Sequence, residues 1–313
     1  MSVALDDLVA SLSAKRTITA DDTLGIRRVV WTDGTITPDE ADQIMALNAA
    51  CDRRSREWMD FFVEVMVDYV VRQQEPTGYV DDAKAAWLMA AIDRDGRVDS
   101  LSELELLVKL METADSVPDS LRTYSLRQVE TAVMMGDGPT RSGRLEKGCI
   151  NAIEVELLRR MIFANGGDGA YIVSTAEADM LFRLKDATLG ADNAPSWQDL
   201  FVKAVGNHLM AHRNYETLSA KNAAQLNRYE ADTHVNIGRF FGRMVGRGRP
   251  ELTQAALAIS DEMNDDAAAA VDRAVTPAEA KWLHDHVDGD GKLDAMEQAL
   301  YDFVTEESGQ KVA

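Results

Sequence analysis

The sequence has little cysteine, few aromatic residues and no long apolar run. Only Cys51 and Cys149 occur among 313 residues, which excludes a disulfide framework and a zinc cluster. No apolar run approaches the ~20 residues that a membrane-spanning helix needs. The first residues lack the basic start and apolar stretch of a signal peptide. We therefore expect a reduced, cytoplasmic compartment and no transmembrane segment.

Aromatic residues make up only 6% of the chain, whereas alanine and methionine are common, which favours helices over sheets. The hydrophobic content of 46% and charged content of 27% are typical of a globular protein. A formal net charge of −20 would repel nucleic acids and anionic membranes, so we expect no nucleic-acid partner. The same charge suits a protein that collects cations.

The usual catalytic signatures are also missing. The sequence contains no P-loop, no G-x-S-x-G motif, no Rossmann fingerprint and no cysteine with a plausible histidine base. Nothing in the chain therefore proposes a reaction, and we expect that the protein is not an enzyme.

An internal repeat is the main feature that the sequence does contain. Five segments of the first part align, in the same order, with five segments of the second. The pairs are 18–34 with 150–166, 40–42 with 177–179, 58–63 with 197–202, 80–88 with 275–283 and 93–99 with 288–294. The pattern predicts two copies, at 1–135 and 149–313, joined by a linker at 136–148 that is rich in helix breakers. An insertion at about 211–274 interrupts the second copy.

Both copies have the sequence pattern of helices throughout. Apolar stripes that begin at Trp58 and Trp197 recur at helical spacing, which is typical of a buried helix face. Thr37 and Thr276 are each followed by a proline and then by an acid at the third helical position, a strong helix-start pattern. We predict an all-α fold of two tandem helical repeats, with the aromatic stripes in the core.

An acidic loop near the C-terminus, at residues 286–297, carries the clearest site pattern. In a twelve-residue EF-hand loop, positions 1, 3, 5, 9 and 12 supply oxygens, position 7 supplies its carbonyl, and a glycine at position 6 allows the turn. With His286 as position 1, every requirement except the first is met. The predicted ligands are the side chains of Asp288, Asp290, Asp294 and Glu297 and the carbonyl of Lys292.

The matching loop of the first copy begins at residue 91 and is less complete. It keeps Asp93, Asp95 and Asp99, with the carbonyl of Arg97, but has an alanine at position 1 and a serine at position 12. A one-residue shift of the following helix would bring Glu103 to the ion instead. Carboxylates crowded in this way repel one another, and a hard divalent cation neutralises them. We therefore predict one or two bound Ca²⁺ ions.

The two acidic loops resemble those of the EF-hand family. The resemblance implies a helix on each side of the loop and a role in binding calcium or another hard cation, as a sensor, buffer or metal-stabilised interaction module. Residues 33–41, with the form D-G-x-I-x-x-x-E-A, also resemble the TerB-type family linked to tellurite resistance. An acidic turn can also cap a helix without any ion. A metal-free helical scaffold and a TerB-like stress-response protein that docks to a partner are therefore the alternatives.

The predicted insertion contains a segment in which glycines and arginines recur every four residues, from Gly238 to Arg249. One interpretation is a basic, apolar docking segment for an acidic protein partner, a phosphate or the surface of a membrane. The favoured alternative is a glycine-rich stretch that packs against the same chain or forms a loop.

Overall fold

The structure, a computed structural model, describes residues 3–93, 98–141, 147–164, 172–210, 275–287 and 293–308. In these ranges the chain forms twelve α-helices and one pair of two-residue strands. The predicted all-α class is therefore confirmed. None of the helices described has the length and apolar character that a membrane span requires.

The described helices occur in the following order along the chain. They are α1 (Val3–Lys15), α2 (Ala20–Val30), α3 (Pro38–Ala50), α4 (Arg56–Val67), α5 (Asp82–Ile92), α6 (Leu101–Thr113), α7 (Asp119–Met135), α8 (Ala152–Ile162), α9 (Thr175–Ala187), α10 (Ser196–Met210), α11 (Pro277–Val287) and α12 (Ala295–Ser308). A π-helical turn, Asp68–Gln73, continues α4, and a 3₁₀ turn, Pro139–Arg141, follows α7. The strands β1 (Thr17–Ile18) and β2 (Arg53–Arg54) pair in parallel, with Thr17 opposite Arg53.

The chain divides into two compact units, Met1–Val205 and Gly206–Ala313, and the boundary falls within α10. Within the first unit, α4 packs most extensively against α6, and also against α2. Helix α8 contacts both α6 and α7, while α5 lies against α3 and α7. The two-copy organisation read from the sequence, with its linker at 136–148, stays a prediction.

The aromatic stripes of α4 and α10 lie in the core of the first unit. Trp58 is 0% exposed and its ring lies 5.8 Å from that of Phe61, measured between centroids. Trp197 is 1% exposed and packs in the same way 6.2 Å from Phe201. The predicted core role of both tryptophans is confirmed. An apolar face at helical spacing drives this burial because it removes a continuous stripe from water.

Five helices of the first unit begin at a reciprocal cap. The side chain of the residue before the helix accepts from the third helical N–H, and the acid at that third position accepts from the backbone N–H of the capping residue. The pairs are Thr19–Asp22, Thr37–Glu40, Ser100–Glu103, Asn151–Glu154 and Ser174–Glu177. The predicted start at Thr37 is confirmed.

The second unit contains the end of α10 together with α11 and α12. The ring of Phe303 lies so close to Gly206 that a Cβ added there would be 2.5 Å from Cε1 of that ring. Trp282 packs edge-on against His208, with ring centroids 4.8 Å apart. The predicted start at Thr276 is also confirmed, because its backbone N–H donates to Glu279 and its hydroxyl accepts from the Glu279 N–H.

Candidate metal loops and the Asn48 network

The structure describes only part of each predicted metal loop. Asp288, Asp290 and Lys292 lie outside the described residues, and so do Asp95 and Arg97. The segment from Gly238 to Arg249 also lies outside them. The predicted ligands that the structure does place are Asp93, Asp99, Glu103, Asp294 and Glu297.

In the 286–297 loop, the two described acids cap the start of α12. Asp294 Oδ1 accepts hydrogen bonds from the backbone N–H groups of Met296 and Glu297, at 2.8 and 2.9 Å. Glu297 is 4% exposed, and its Oε2 accepts from the backbone N–H of Asp294 at 2.8 Å. Positions 9 and 12 of the predicted loop therefore form a reciprocal helix cap.

Glu103 occupies the corresponding place at the start of α6. It is 4% exposed, and its Oε2 accepts from the backbone N–H groups of Asp99 and Ser100, at 3.2 and 3.1 Å. Its Oε1 accepts from the Asn48 side-chain amide at 2.9 Å. Glu103 accepts from the backbone N–H of the capping residue Ser100, just as Glu297 accepts from that of Asp294. In the 91–103 loop the helix therefore starts one residue later, which is the shift considered from the sequence. Both oxygens of the Glu103 carboxylate are engaged in this arrangement.

The side chain of Asp93 differs from that of Glu103 in its hydrogen bonding. Asp93 ends α5, and its backbone N–H donates to the Met89 carbonyl at 2.7 Å. Its Oδ1 is buried and has no hydrogen-bond partner among the residues that the structure describes. The end of a helix carries partial negative charge, so a buried carboxylate oxygen there is unfavourable unless a positive group compensates it.

Asp99 is exposed at the other end of the same loop. It lines an open cavity of about 510 Å³ together with Arg54, Ser100 and Ser102. It also lines a second cavity, of about 670 Å³, together with Gln128. Both cavities border the residues that precede α6. Across the described ranges, no group of three or more His, Cys, Asp or Glu side chains is placed to hold a metal ion.

A buried set of polar side chains connects Glu103 to the rest of the first unit. We call it the Asn48 network, and its members are Asn48, Trp58, Ser100, Ser102 and Glu103. Asn48 is 0% exposed, and its amide nitrogen donates to Glu103 at 2.9 Å and to Ser100 at 3.3 Å. Its Oδ1 accepts from Ser102 at 2.8 Å and from Trp58 Nε1 at 3.1 Å. The network therefore ties α3, α4 and α6 together at one point.

Arg54 places a positive charge beside this network. Its guanidinium donates to the backbone carbonyl of Asn48 from Nε at 3.0 Å and from Nη2 at 2.7 Å. Burial lowers the pKa of Arg54, and the nearby Glu103 charge opposes that change. Burial likewise raises the pKa of Glu103, while its hydrogen bond with Ser100 and the Arg54 charge act in the other direction. Both groups are thus partly desolvated, and each reduces the cost of burying the other.

Sequence reasoning missed the Asn48 network, although one signal pointed to it. Asn48 follows Ile44 by four positions, and Ile44 is 0% exposed, so the asparagine falls on the buried face of α3. A polar residue on such a face requires hydrogen-bond partners. Apart from Trp58, ten residues away on α4, the partners lie 52 to 55 residues further along the chain in α6 and its cap, beyond the reach of any local pattern.

A second buried site joins the predicted linker to α8. Arg141 Nη2 donates to Glu154 Oε2 at 2.8 Å and to the Cys149 carbonyl at 2.7 Å. Thr140 Oγ1 donates to the other oxygen of Glu154 at 2.7 Å. The side chains of Arg141 and Glu154 are 2% and 0% exposed. This arrangement is a buried ion pair with a structural role, and it too was not predicted.

Comparison of the chain with protein-family models, with curated proteins and with solved structures finds no match. The resemblances to the EF-hand and TerB-type families therefore depend on the residues quoted for them and stay predictions. The class that the structure defines is an all-α protein with buried polar helix caps.

Proposed function

We propose that the protein binds calcium, or another hard divalent or trivalent cation, through loops of the EF-hand type. In this role it acts as a sensor, a buffer or a metal-stabilised interaction module. The single observation that carries the proposal is the buried Oδ1 of Asp93 at the end of α5, which has no hydrogen-bond partner within the described part of the chain. Asp93 is the first acid of the loop that follows α5, at a position where an EF-hand supplies a ligand.

The physical argument concerns the cost of leaving that oxygen without a partner. An unsatisfied buried polar group costs about 1–3 kcal/mol, and more when it is charged. A hard cation offsets this cost because it accepts carboxylate oxygens directly. The residues that would hold it in the first copy are Asp93, Asp95, Asp99 and Glu103, with the carbonyl of Arg97. In the second copy they are Asp288, Asp290, Asp294 and Glu297, with the carbonyl of Lys292.

A melting experiment on chelator-treated protein tests the proposal. Calcium should raise the Tm, because an ion that binds only the folded state stabilises it by mass action. Asp290→Ala combined with Glu297→Ala should abolish the part of the rise that is due to the 286–297 loop. Asp93→Asn should remove the remainder. The quantity compared is the rise on adding calcium, because Glu297→Ala also removes a helix cap and lowers the starting Tm.

Asp39→Asn is the matched control for these substitutions. Asp39 is an exposed acid in the first turn of α3, so its replacement removes one negative charge without touching either loop. The control should keep the full response to calcium. An unchanged Tm in the unmodified protein, with no heat on calorimetric titration with calcium, would count against cation binding.

A metal-free helical scaffold that docks to a protein partner is the second candidate. The observation that favours it is that Glu103 and Glu297 both serve as helix caps, a role that needs no ion. A scaffold of this kind shows no calorimetric response to calcium. A TerB-like stress-response role is a variant of it, in which the segment from Gly238 to Arg249 docks to a partner or membrane. Binding to anionic vesicles that is lost when the arginines of that segment are replaced would support this variant.

A further inference from the structure

An open cavity of about 260 Å³ lies between the π-helical turn that continues α4 and the first half of α5. Two aromatic residues line it, Tyr69 from the π-helical turn and Trp87 from α5. Their ring centroids are 5.6 Å apart and their planes are inclined at 62°. Tyr69 is buried, whereas Trp87 is only half-buried. The two rings therefore meet at a corner in the wall of the cavity.

Asp42 on α3 fixes the orientation of the indole ring. Trp87 Nε1 donates to Asp42 Oδ1 at 3.2 Å, so the polar edge of the indole is already engaged. The same carboxylate also acts on the second ring. Burial raises the pKa of the Tyr69 hydroxyl, and the Asp42 charge adds to that rise. An exposed carboxylate thus lies close to both aromatic residues.

The ammonium group of Lys84, which also lines the cavity, is engaged by the backbone. Its Nζ donates to the carbonyls of Gln74, Pro76 and Tyr79, at 2.9, 2.8 and 2.6 Å. A lysine ammonium has three N–H donors, so these bonds use all of them. Lys84 therefore serves the preceding loop, and it has no donor left for a ligand in the cavity.

Negative charge predominates around the aromatic pair. Glu75 and Asp81 line the cavity, both residues are exposed, and Asp42 adds a third carboxylate beside the indole. Against these three carboxylates, the described lining residues place one ammonium group, that of Lys84. A cation that enters the cavity therefore meets two aromatic rings and an excess of negative charge.

We propose that this cavity binds an organic ammonium ion, most favourably a quaternary ammonium group. Such a cation is attracted to the electron-rich face of an aromatic ring, and tryptophan gives the strongest attraction. Pockets for drug-sized ligands measure about 300–1,000 Å³, so the smaller volume of this cavity suits a single cationic head group.

The proposed site is separate from the predicted metal loops. All of its lining residues lie between Tyr69 and Trp87, before either loop begins. A hard cation such as Ca²⁺ requires six to eight oxygen ligands, whereas a quaternary ammonium group requires none. The inference therefore goes beyond the proposed function and does not depend on it.

A titration with choline chloride, followed by nuclear magnetic resonance, tests the proposal on the full-length protein in the presence of a chelator. The backbone N–H signals of residues 84 and 87 should shift saturably, beyond the shifts that sodium chloride causes at equal ionic strength. The neutral isostere 3,3-dimethylbutan-1-ol should bind about tenfold more weakly, because it lacks the charge. Equal binding of the two compounds, or no saturable shift with choline, would overturn the proposal. Because the chelator removes calcium, either result leaves the calcium proposal untouched.

Two substitutions of Trp87 isolate the contribution of the ring. Trp87→Phe and Trp87→Leu both remove the hydrogen bond to Asp42, but only phenylalanine keeps an aromatic face. Trp87→Leu should weaken choline binding about tenfold, and Trp87→Phe should weaken it less. If the two variants lose the same affinity, the ring does not hold the cation and the inference fails.

Glu75→Gln tests the contribution of charge with an exposed residue whose replacement leaves the core intact. It should weaken choline binding about two- to fivefold, as expected for an exposed ion pair. Glu156→Gln is the matched control, because Glu156 is an exposed acid on α8 that does not line the cavity. Equal affinities of these two variants would contradict the role of the carboxylates.

A second ligand distinguishes the source of the ammonium group. A short peptide of alanine and glycine around one trimethyllysine presents the same head group on a protein side chain. Tighter binding of the peptide than of choline would support a modified protein as the source, and tighter binding of choline would support a free small amine. Failure of both ligands to bind would overturn the site.

Discussion

The guanidinium of Arg141 and the carboxylate of Glu154 are enclosed together, with side chains 2% and 0% exposed and 2.8 Å between Nε and Oε1. Taking two charges out of water is costly, and their attraction compensates only while both partners are present. Removing one partner therefore lowers the free energy of unfolding by more than the intact pair contributes to it, because the remaining charge is left buried and uncompensated.

Arg141→Met should lower the free energy of unfolding by about 3–5 kcal/mol, because it leaves the Glu154 charge buried without a partner. The double variant Arg141→Met with Glu154→Gln should be less destabilised than Arg141→Met alone, since the orphaned charge is gone. Urea denaturation measures both values. Arg56→Ala is the control, because the Arg56–Asp60 pair is 3.9 Å apart and 86% and 69% exposed, and it should have almost no effect. A double variant whose free energy of unfolding is no higher than that of Arg141→Met alone would contradict this account.

At the scale of the element, α4 and α10 present the same aromatic pattern in different polar surroundings. Trp58 Nε1 donates to Asn48 Oδ1 at 3.1 Å. Trp197 Nε1 is buried and, within the described part of the chain, makes no hydrogen bond. The two tryptophans match in sequence and in burial, so the difference lies in what surrounds the indole nitrogen.

Trp58→Phe should therefore destabilise the protein by about 1 kcal/mol more than Trp197→Phe, which is the usual net value of one hydrogen bond. Both substitutions remove the same volume from the core, so each serves as the control for the other. Thermal or urea unfolding of the two variants gives the comparison. Equal losses, or a larger loss for Trp197→Phe, would show that packing around the two rings outweighs the hydrogen bond.

These elements also show which parts of the structure a sequence can predict. The buried stripes from Trp58 and Trp197 and the helix starts at Thr37 and Thr276 were predictable, because helical periodicity and capping are local properties. The contacts of Asn48 with Glu103 and of Arg141 with Glu154 were not predictable. They depend on where whole helices pack, and no spacing within a helix encodes a partner on another element. The acids of the loops were found from the sequence, and helix capping was considered there as the alternative to ion binding.

At the scale of the whole molecule, a net charge of −20 makes any cation stabilising to some degree. Repulsion among like charges opposes the compact state, and salt screens it. The screening length falls from about 30 Å at 0.01 M ionic strength to about 10 Å at 0.1 M. A rise in Tm with sodium chloride is therefore expected whether or not a specific site exists, and a rise with calcium alone does not establish one.

The decisive comparison is calcium against sodium chloride at equal ionic strength, in the unmodified protein and in Asp93→Asn. General screening should raise the Tm of both proteins equally in sodium chloride. Calcium should add a further, saturable rise in the unmodified protein that is smaller in Asp93→Asn, because that variant removes one carboxylate of the 91–103 loop. Differential scanning calorimetry measures all four cases. If calcium at matched ionic strength adds nothing beyond sodium chloride, the charge of the chain accounts for the whole response, and the unpartnered Asp93 oxygen is only a cost of the fold.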